Sequence, residues 1–361
     1  MSRPCLSARR RAATQAFVLA LVAVPLAGCR TPAAPSALVT TAATPVPAAP
    51  AAPAPPAELY EVVQVVDGDT IHVLRDGERE KLRLLSVDTE EKLAPGMTAS
   101  PSKPQTVFGE ETALWARELF AALAREQAGG VARVGLRFPP GPERRDVYGR
   151  LLCHVLLPDG TDFNLLLVEL GKSPYFDKYG RSRICHEAFV AAQERARARR
   201  LGIWDPRTNV PSDPAAPAAV RPYARLLPWW RARSDAIEDF RRRAGPRVIE
   251  AEDADALAAA ARLTGEVEVF GEPERFFDES DGSLTVLFRA SERGRAFRAR
   301  IPAAARAAHE ALELRALARE LRQNFVYVSG DLVGGERGLE IVTSSPGQWR
   351  RAGPEPRLDE P

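Results

Sequence analysis

The stretch from Leu59 to Val87 constrains the fold more than any other part of the chain. "LYEVVQVV" runs into "DGD", "TIHVLRDG" into a second Asp-Gly, and "REKLRLLSV" into "DTEE". Asp-Gly pairs suit tight strand–strand connections because they tolerate positive φ, and the runs between them carry the β-branched residues of strands. Three short strands spaced this closely predict an antiparallel meander. Residues 89–107, "TEEKLAPGMTASPSKPQTV", then show no periodicity and predict a long loop, a kind that is usually functional or mobile.

The following segments build on that meander. "FGEETALWARELFAALARE" reads as an amphipathic helix, with Leu114, Leu119 and Leu123 among its apolar positions. A strand at 131–138, a polar loop at 139–147 and a strand at about 149–157 come next. "NLLLVELG" reads as a short helix stopped by Gly171, and "CHEAFVAAQERARARR" as a last helix before "LGIWD". A helix placed between the third and fourth strands predicts a β-rich α+β unit over 58–206: a five-stranded, closed OB-type barrel with three helices.

The Pro/Ala-rich passage "DPRTNVPSDPAAPAAVRP" marks a boundary, so 207–222 reads as a linker. Residues 223–350 open with a Trp- and Arg-rich helical segment and repeat the barrel logic. "GEVEVFGEPERFF", "GSLTVLFRA" and "RAFRARIP" read as strands, "AAARAAHEALELRALARELRQ" as one helix, and "NFVYVSGDLVGGERGLEIVTS" as a closing hairpin. A second OB-like barrel of accessory role is the expectation, with 351–361 a polar tail.

The ends and the charge balance limit the classes of function. Residues 1–29 combine a basic start, "MSRPCLSARRR", with an apolar run and predict an export signal. Its ending, "LAGC", resembles a bacterial lipoprotein box, which implies acylation at Cys29, a membrane anchor and a place in the cell envelope. Residues 30–57, almost wholly Ala, Pro and Thr, cannot bury a core and read as a tether. Of four cysteines, Cys153 and Cys185 remain for the folded part, as one disulfide or as two buried thiols. Lys and Arg total 50 against 48 acids, so any nucleic-acid surface has to be local.

The chemistry-bearing residues lie at strand ends. Asp67 and Asp69 sit in the first turn, and Asp88, Glu90 and Glu91 follow the third strand. Carboxylates on one barrel rim, with the Thr89 carbonyl, offer the hard oxygens a divalent cation takes. Taken alone, the Asp-Gly-Asp stretch reads more readily as a solvated hairpin turn than as a ligand set. Arg83 points opposite to Leu82 and Leu84, although the pattern does not say which side faces the core. Arg150 and Arg181 stand in near copies, "DVYGR" and "DKYGR", and either guanidinium fork is suited to phosphate.

Taken in order, "VVDGDTI", "LRLLSVDTEE", "VFGEETALWAR", "DVYGRLLCHV", "NLLLVELG" and "LGIW" resemble the staphylococcal-nuclease-like (thermonuclease) family over about residues 59–205. The resemblance implies calcium-dependent hydrolysis of DNA or RNA at the 5′ P–O bond. It implies Asp69, Asp88 and Thr89 as metal ligands, Glu91 as general base, and Arg83 and Arg150 as phosphate-binding arginines. Glu90 departs from the family pattern, which has proline there. Arg150, which directly opens a strand, is expected to be the catalytic copy, with Arg181 in a loop. Tyr148 and Tyr175 are candidate substrate contacts, stacking on a base or touching a phosphate, while packing against the last helix is the competing role for Tyr175. The rival reading of the whole is a non-catalytic envelope lipoprotein that binds nucleic acid or protein. For Trp229 and Trp230, docking of their helix onto a barrel is favoured over single-strand binding.

Overall fold

The computed structural model describes residues 54–94, 103–141, 143–146, 148–210, 220–290, 293–319, 324–335 and 337–353. The export signal, Cys29, nearly all of the tether, the centre of the linker and the end of the tail lie outside the described residues.

The meander is present as β1 (Tyr60–Val65), β2 (Thr70–Arg75) and β3 (Glu78–Leu84). Helix α1 (Val107–Glu126) follows, then β4 (Arg133–Arg137) and β5 (Leu151–Leu156). The five strands close into a barrel in the order β1-β2-β3-β5-β4. Antiparallel β1–β2, β2–β3 and β4–β5 pairs are joined by a parallel β3–β5 pair, which the intervening α1 makes possible. Helices α2 (Phe163–Glu169) and α3 (His186–Ala198) complete the unit.

Alternation fills the interior: Ile71, Val73, Leu82, Leu84, Leu151, Cys153 and Val155 are almost wholly buried and pack with Phe120, Phe163, Leu167 and Phe189. The buried face of α1 is Phe108, Gly109, Thr112, Ala113, Ala116 and Phe120, whereas Leu114 is exposed. Leu119 and Leu123 are half-buried and pack against the same core, so two of the three expected leucines face the barrel. Small residues permit close approach of α1 to the barrel.

The second half begins with α4 (Tyr223–Arg243), whose buried positions Leu226, Trp230, Arg233, Ile237 and Phe240 recur at helical spacing. Trp230 packs edge-on against Phe176 of the first barrel, with ring centroids 4.7 Å apart. Docking of this helix is thus the role of Trp230. Strands β6 (Val248–Glu250), β7 (Val267–Gly271), β11 (Val326–Gly330) and β14 (Trp349–Arg351) form one sheet, ordered β14-β11-β7-β6. The other sheet, ordered β12-β13-β10-β9-β8, comprises β8 (Pro273–Asp278), β9 (Leu284–Phe288), β10 (Arg298–Ile301), β12 (Leu332–Gly335) and β13 (Gly338–Val342). The chain passes from β7 to β8 and from β11 to β12 with single-residue connections, so the two sheets wrap one core of Val269, Val286, Phe288, Phe297, Val328 and Ile341. The result is barrel-like.

Three boundaries differ from expectation. The long helix expected at 303–323 is broken: α6 (Arg306–His309) and α7 (Leu314–Arg319) flank Glu313, whose φ of 47° interrupts the helical path. The break lets Ala305, Leu314 and Leu317 all reach the core. The expected tail begins inside β14, since Arg351 pairs with Val326 and Ala352 is 1% exposed. Asn209 and Arg221, at the two ends of the expected linker, are bonded to the first barrel. Cys153 and Cys185 are free thiols, which resolves the cysteine question against a bridge. Helix α5 (Ala254–Ala260) covers the second core, and among the described residues no helix is long and apolar enough to cross a membrane.

Candidate active site

The β1–β2 connection places the first acids. The main-chain N–H of Asp69 donates to Asp67 Oδ1 at 3.2 Å, and that of Val66 donates to the Thr70 carbonyl at 3.0 Å. Gly68 allows the turn to lie against its neighbours, because a Cβ there would press on the methyl groups of Thr89 and Thr112 at 2.6 and 2.8 Å. Thr70 stands opposite Arg83 in the β2–β3 register, so Asp69 faces the end of β3. From that end the chain turns through Val87 to Asp88, whose N–H donates to Ser173 Oγ at 2.8 Å. The Thr89 N–H donates to Asp69 Oδ2 at 3.0 Å, fixing the Asp88–Thr89 peptide beside Asp69. The structure therefore brings Asp69, Asp88 and Thr89 together.

Arg83 joins the two carboxylates. With Leu82 and Leu84 inside the barrel, its guanidinium emerges on the other face, pairing through Nη1 with Asp69 and through Nη2 with Asp88 Oδ1 at 2.7 Å. Both acids are buried, 3% and 5% exposed, and yet are held ionised. Burial pushes each carboxyl up. Arg83 and Lys103 more than offset this at Asp69, and Lys103, Arg221 and Arg83 hold Asp88 far below the usual carboxylate range. At Asp67, burial and the neighbouring Asp69 charge outweigh the Asp69 N–H and the weaker pull of Lys103, and push the carboxyl up to about 7.

Lys103 Nζ spans Asp88 Oδ1 at 3.1 Å and Glu91 Oε1 at 2.6 Å, so Glu91 stands at the rim of the same cluster with its side chain 40% exposed. Glu90 turns the other way. Its buried carboxylate accepts from Thr106 Oγ1, from Asn209 Nδ2 at 2.8 Å and from Tyr223 OH at 3.2 Å. Thr106 also caps α1, accepting from the Gly109 N–H at 2.9 Å. Glu90 is thus a clamp between the acidic turn, α1 and α4, and Glu91 alone of the two reaches the cluster. A Cβ on Gly109 would overlap the Glu91 carbonyl, so glycine is required where α1 meets this turn.

The two Tyr-Gly-Arg copies separate cleanly. Arg150 lies beside Asp69: its Nη1 reaches Thr70 Oγ1 at 3.4 Å, and that hydroxyl donates to Asp69 Oδ1 at 3.1 Å. Its remaining donors hold Asp146 at 2.7–2.8 Å. Arg181 instead pairs with Asp235 of α4 at 2.9 Å, while its N–H donates to Glu238 at 2.9 Å and its carbonyl accepts from Arg241 at 3.2 Å. It ties the loop to α4.

Tyr148, 78% exposed, stands over the Arg150 guanidinium at 5.4 Å and is open to solvent. Tyr175 is not. Only 4% exposed, it stacks on Phe189 at 5.0 Å, its hydroxyl meets His186 Nδ1 at 2.9 Å, and the Ser182 N–H donates to that hydroxyl at 2.8 Å. No ring face is left for a base, so the substrate role expected of Tyr175 is corrected to a core role.

Four site residues escape a sequence reading: Lys103, Ser173, Asn209 and Arg221. Each sits in a stretch without periodicity, and Ser173, Asn209 and Arg221 also act across large separations, Arg221 and Asp88 being 133 positions apart. Thr106 was locally legible as an N-cap three residues before Gly109.

With this geometry in view, the likenesses to known proteins are informative. Residues 81–206 match the family model described as staphylococcal nuclease homologue. The thermonuclease of Staphylococcus intermedius is 31% identical over 144 residues, covering 39% of this chain and 73% of the relative. Endonuclease YncB of Bacillus subtilis (strain 168) is 29% identical over 141 residues, and the match spans 59% of its length. An uncharacterized endonuclease of Escherichia coli O157:H7 is 27% identical over 148 residues, 78% of its length. All of these matches leave more than half of the present chain uncovered. The barrel, the order of its acids and arginines, and these relatives agree: the chain belongs to the staphylococcal nuclease homologue family.

Proposed function

We propose that the protein hydrolyses phosphodiester bonds of DNA or RNA with a divalent cation, calcium by family likeness, at the Asp69–Asp88 pair. The observation that carries this reading is the sharing of Arg83 between two buried, ionised carboxylates, with Glu91 at their rim. The donor set suits a hard cation, since Asp69 and Asp88 offer anionic oxygens and Thr89 a carbonyl beside them. Bound there, the cation would supply Lewis-acid neutralisation of charge on the phosphate oxygens.

The chain's own residues do the rest. Arg83, 14% exposed at its side chain, and Arg150, 26% exposed, present guanidinium forks on neighbouring strands and grip the phosphate. Arg150 needs only to exchange its hold on Asp146 for a phosphate oxygen. Glu91, released from Lys103, takes the proton of the attacking water. Asp146 orients Arg150 until the phosphate arrives, Thr70 stays against it, and Tyr148 offers a ring to the adjoining nucleotide.

Replacement of Asp88 by Asn tests the site: cleavage should fall by at least about 10²-fold, as for loss of a transition-state charge contact, with the fold retained by circular dichroism. Cleavage at wild-type rate would remove Asp88 from the chemistry. The cellular setting is proposed on the sequence of residues 1–57: an exported lipoprotein acylated at Cys29 and held off the membrane by its tether. Cys29→Ser should abolish incorporation of labelled lipid, and persistent labelling would refute the anchor.

A further inference from the structure

The two oxygens of Asp88 are kept by different kinds of cation. Oδ1 is held by Arg83 and Lys103, whose side chains are 14% and 27% exposed. Oδ2 pairs with Arg221, whose side chain is 3% exposed. Arg221 also donates from Nη1 to the main-chain carbonyl of Asp88 at 2.9 Å, so a single guanidinium grips both the backbone and the side chain of that residue. Its guanidinium lies 5.5 Å from the Tyr223 ring and 5.4 Å from the Trp230 ring. Tyr223 is itself bonded to Glu90, and Trp230 is docked on Phe176. Lys103 can swing into solvent when a cation or phosphate arrives. Arg221 can leave only if the start of α4 unpacks.

We propose that Arg221, supplied from beyond the matched nuclease region, is a permanent positioning residue of the nuclease site and sets its affinity for the divalent cation. The inference rests on the divalent-cation reading above. Arg221 fixes the Asp88 carboxylate so that Oδ1 is the oxygen offered to the cation. Its buried charge, added to that of Arg83, opposes a second positive ion in the same cluster. Arg221 therefore holds down the affinity of the site for the free cation.

The test is calorimetric titration of calcium into the purified protein without nucleic acid, comparing wild type with Arg221→Gln, Arg221→Met and Arg221→Lys. Near-UV circular dichroism identifies the variants that keep the native packing, and Met, with an apolar stem against Trp230, serves where Gln does not fold. Removing a unit charge a few ångströms from a divalent ion should tighten calcium binding by about tenfold or more even with strong dielectric screening. Lys, which keeps the charge, should restore wild-type affinity to within roughly threefold. Unchanged or weaker calcium binding by a folded neutral variant overturns the inference. Absence of calcium binding in wild type and folded neutral variants alike overturns the divalent-cation reading itself, and this inference with it.

Discussion

The hydroxyl of Tyr223, in the first turn of α4, donates to Oε1 of Glu90 across 3.2 Å, locking the acidic turn to a helix that lies outside the matched nuclease region. With Thr106 and Asn209 on its other oxygen, the Glu90 carboxylate is fully engaged away from the Asp69–Asp88 cluster. Proline at this position, the family pattern, could not make these bonds. Glu90→Pro and Glu90→Ala should each lower the unfolding free energy by about 3 kcal/mol, because they strand buried donors. Glu91→Gln should leave stability within about 0.5 kcal/mol and lower turnover by roughly 10²- to 10⁴-fold. Chemical denaturation and initial-rate measurements separate the two. An active Glu91→Gln enzyme beside a stable but inactive Glu90→Gln enzyme would reverse the assignment.

Arg150 and Arg181 share a local motif and differ in what surrounds them. Arg150→Ala removes a fork beside Asp69 and should cost about 10²-fold or more in turnover. Arg181→Ala breaks exposed bonds to Asp235 and should change stability by no more than about 1 kcal/mol, with turnover close to wild type. Kinetics on both variants in one assay decide the matter. Equal losses would mean that the second copy also touches the substrate.

Asp177, in the second copy, gives a pH signature away from the chemistry. Burial, only partly offset by Arg231, pushes its carboxyl up to about 6. A carboxyl raised above its unfolded value binds its proton more tightly in the folded state. Its contribution to stability is therefore complete below about pH 4 and is lost as pH rises through about 6. Asp177→Asn should flatten that part of the stability–pH curve and, above pH 7, exceed wild type by about 2 kcal/mol. Urea melts at several pH values read this directly, and parallel curves for the two proteins would contradict it.

Much of the first barrel was legible because its signals are local. Two Asp-Gly turns and alternating apolar residues specify β1 to β3, and inward Leu82 and Leu84 force Arg83 outward. The acids and arginines follow once the strands are in register. What was not legible depends on tertiary contact. Nothing near Glu90 in sequence announces that it faces Thr106, Asn209 and Tyr223, since its partners lie up to 133 positions away. Tyr175 looks like a loop aromatic until α3 brings Phe189 and His186 against it. Arg221 lies at the end of a Pro/Ala-rich run whose composition suggests a spacer, and only docking of α4 carries it to Asp88. The break at Glu313 is likewise a demand of the second core, not of helix propensity.

Cleavage under controlled cation supply tests the central claim most directly. The purified protein is incubated with DNA and with RNA, first with calcium, then with excess chelator, then with calcium restored, alongside Asp88→Asn. The account predicts cleavage of at least one polymer with calcium, none in chelator, full recovery on restoration, and loss of at least about 10²-fold in the variant. Full cleavage in chelator, or an Asp88→Asn protein as active as wild type, would contradict it.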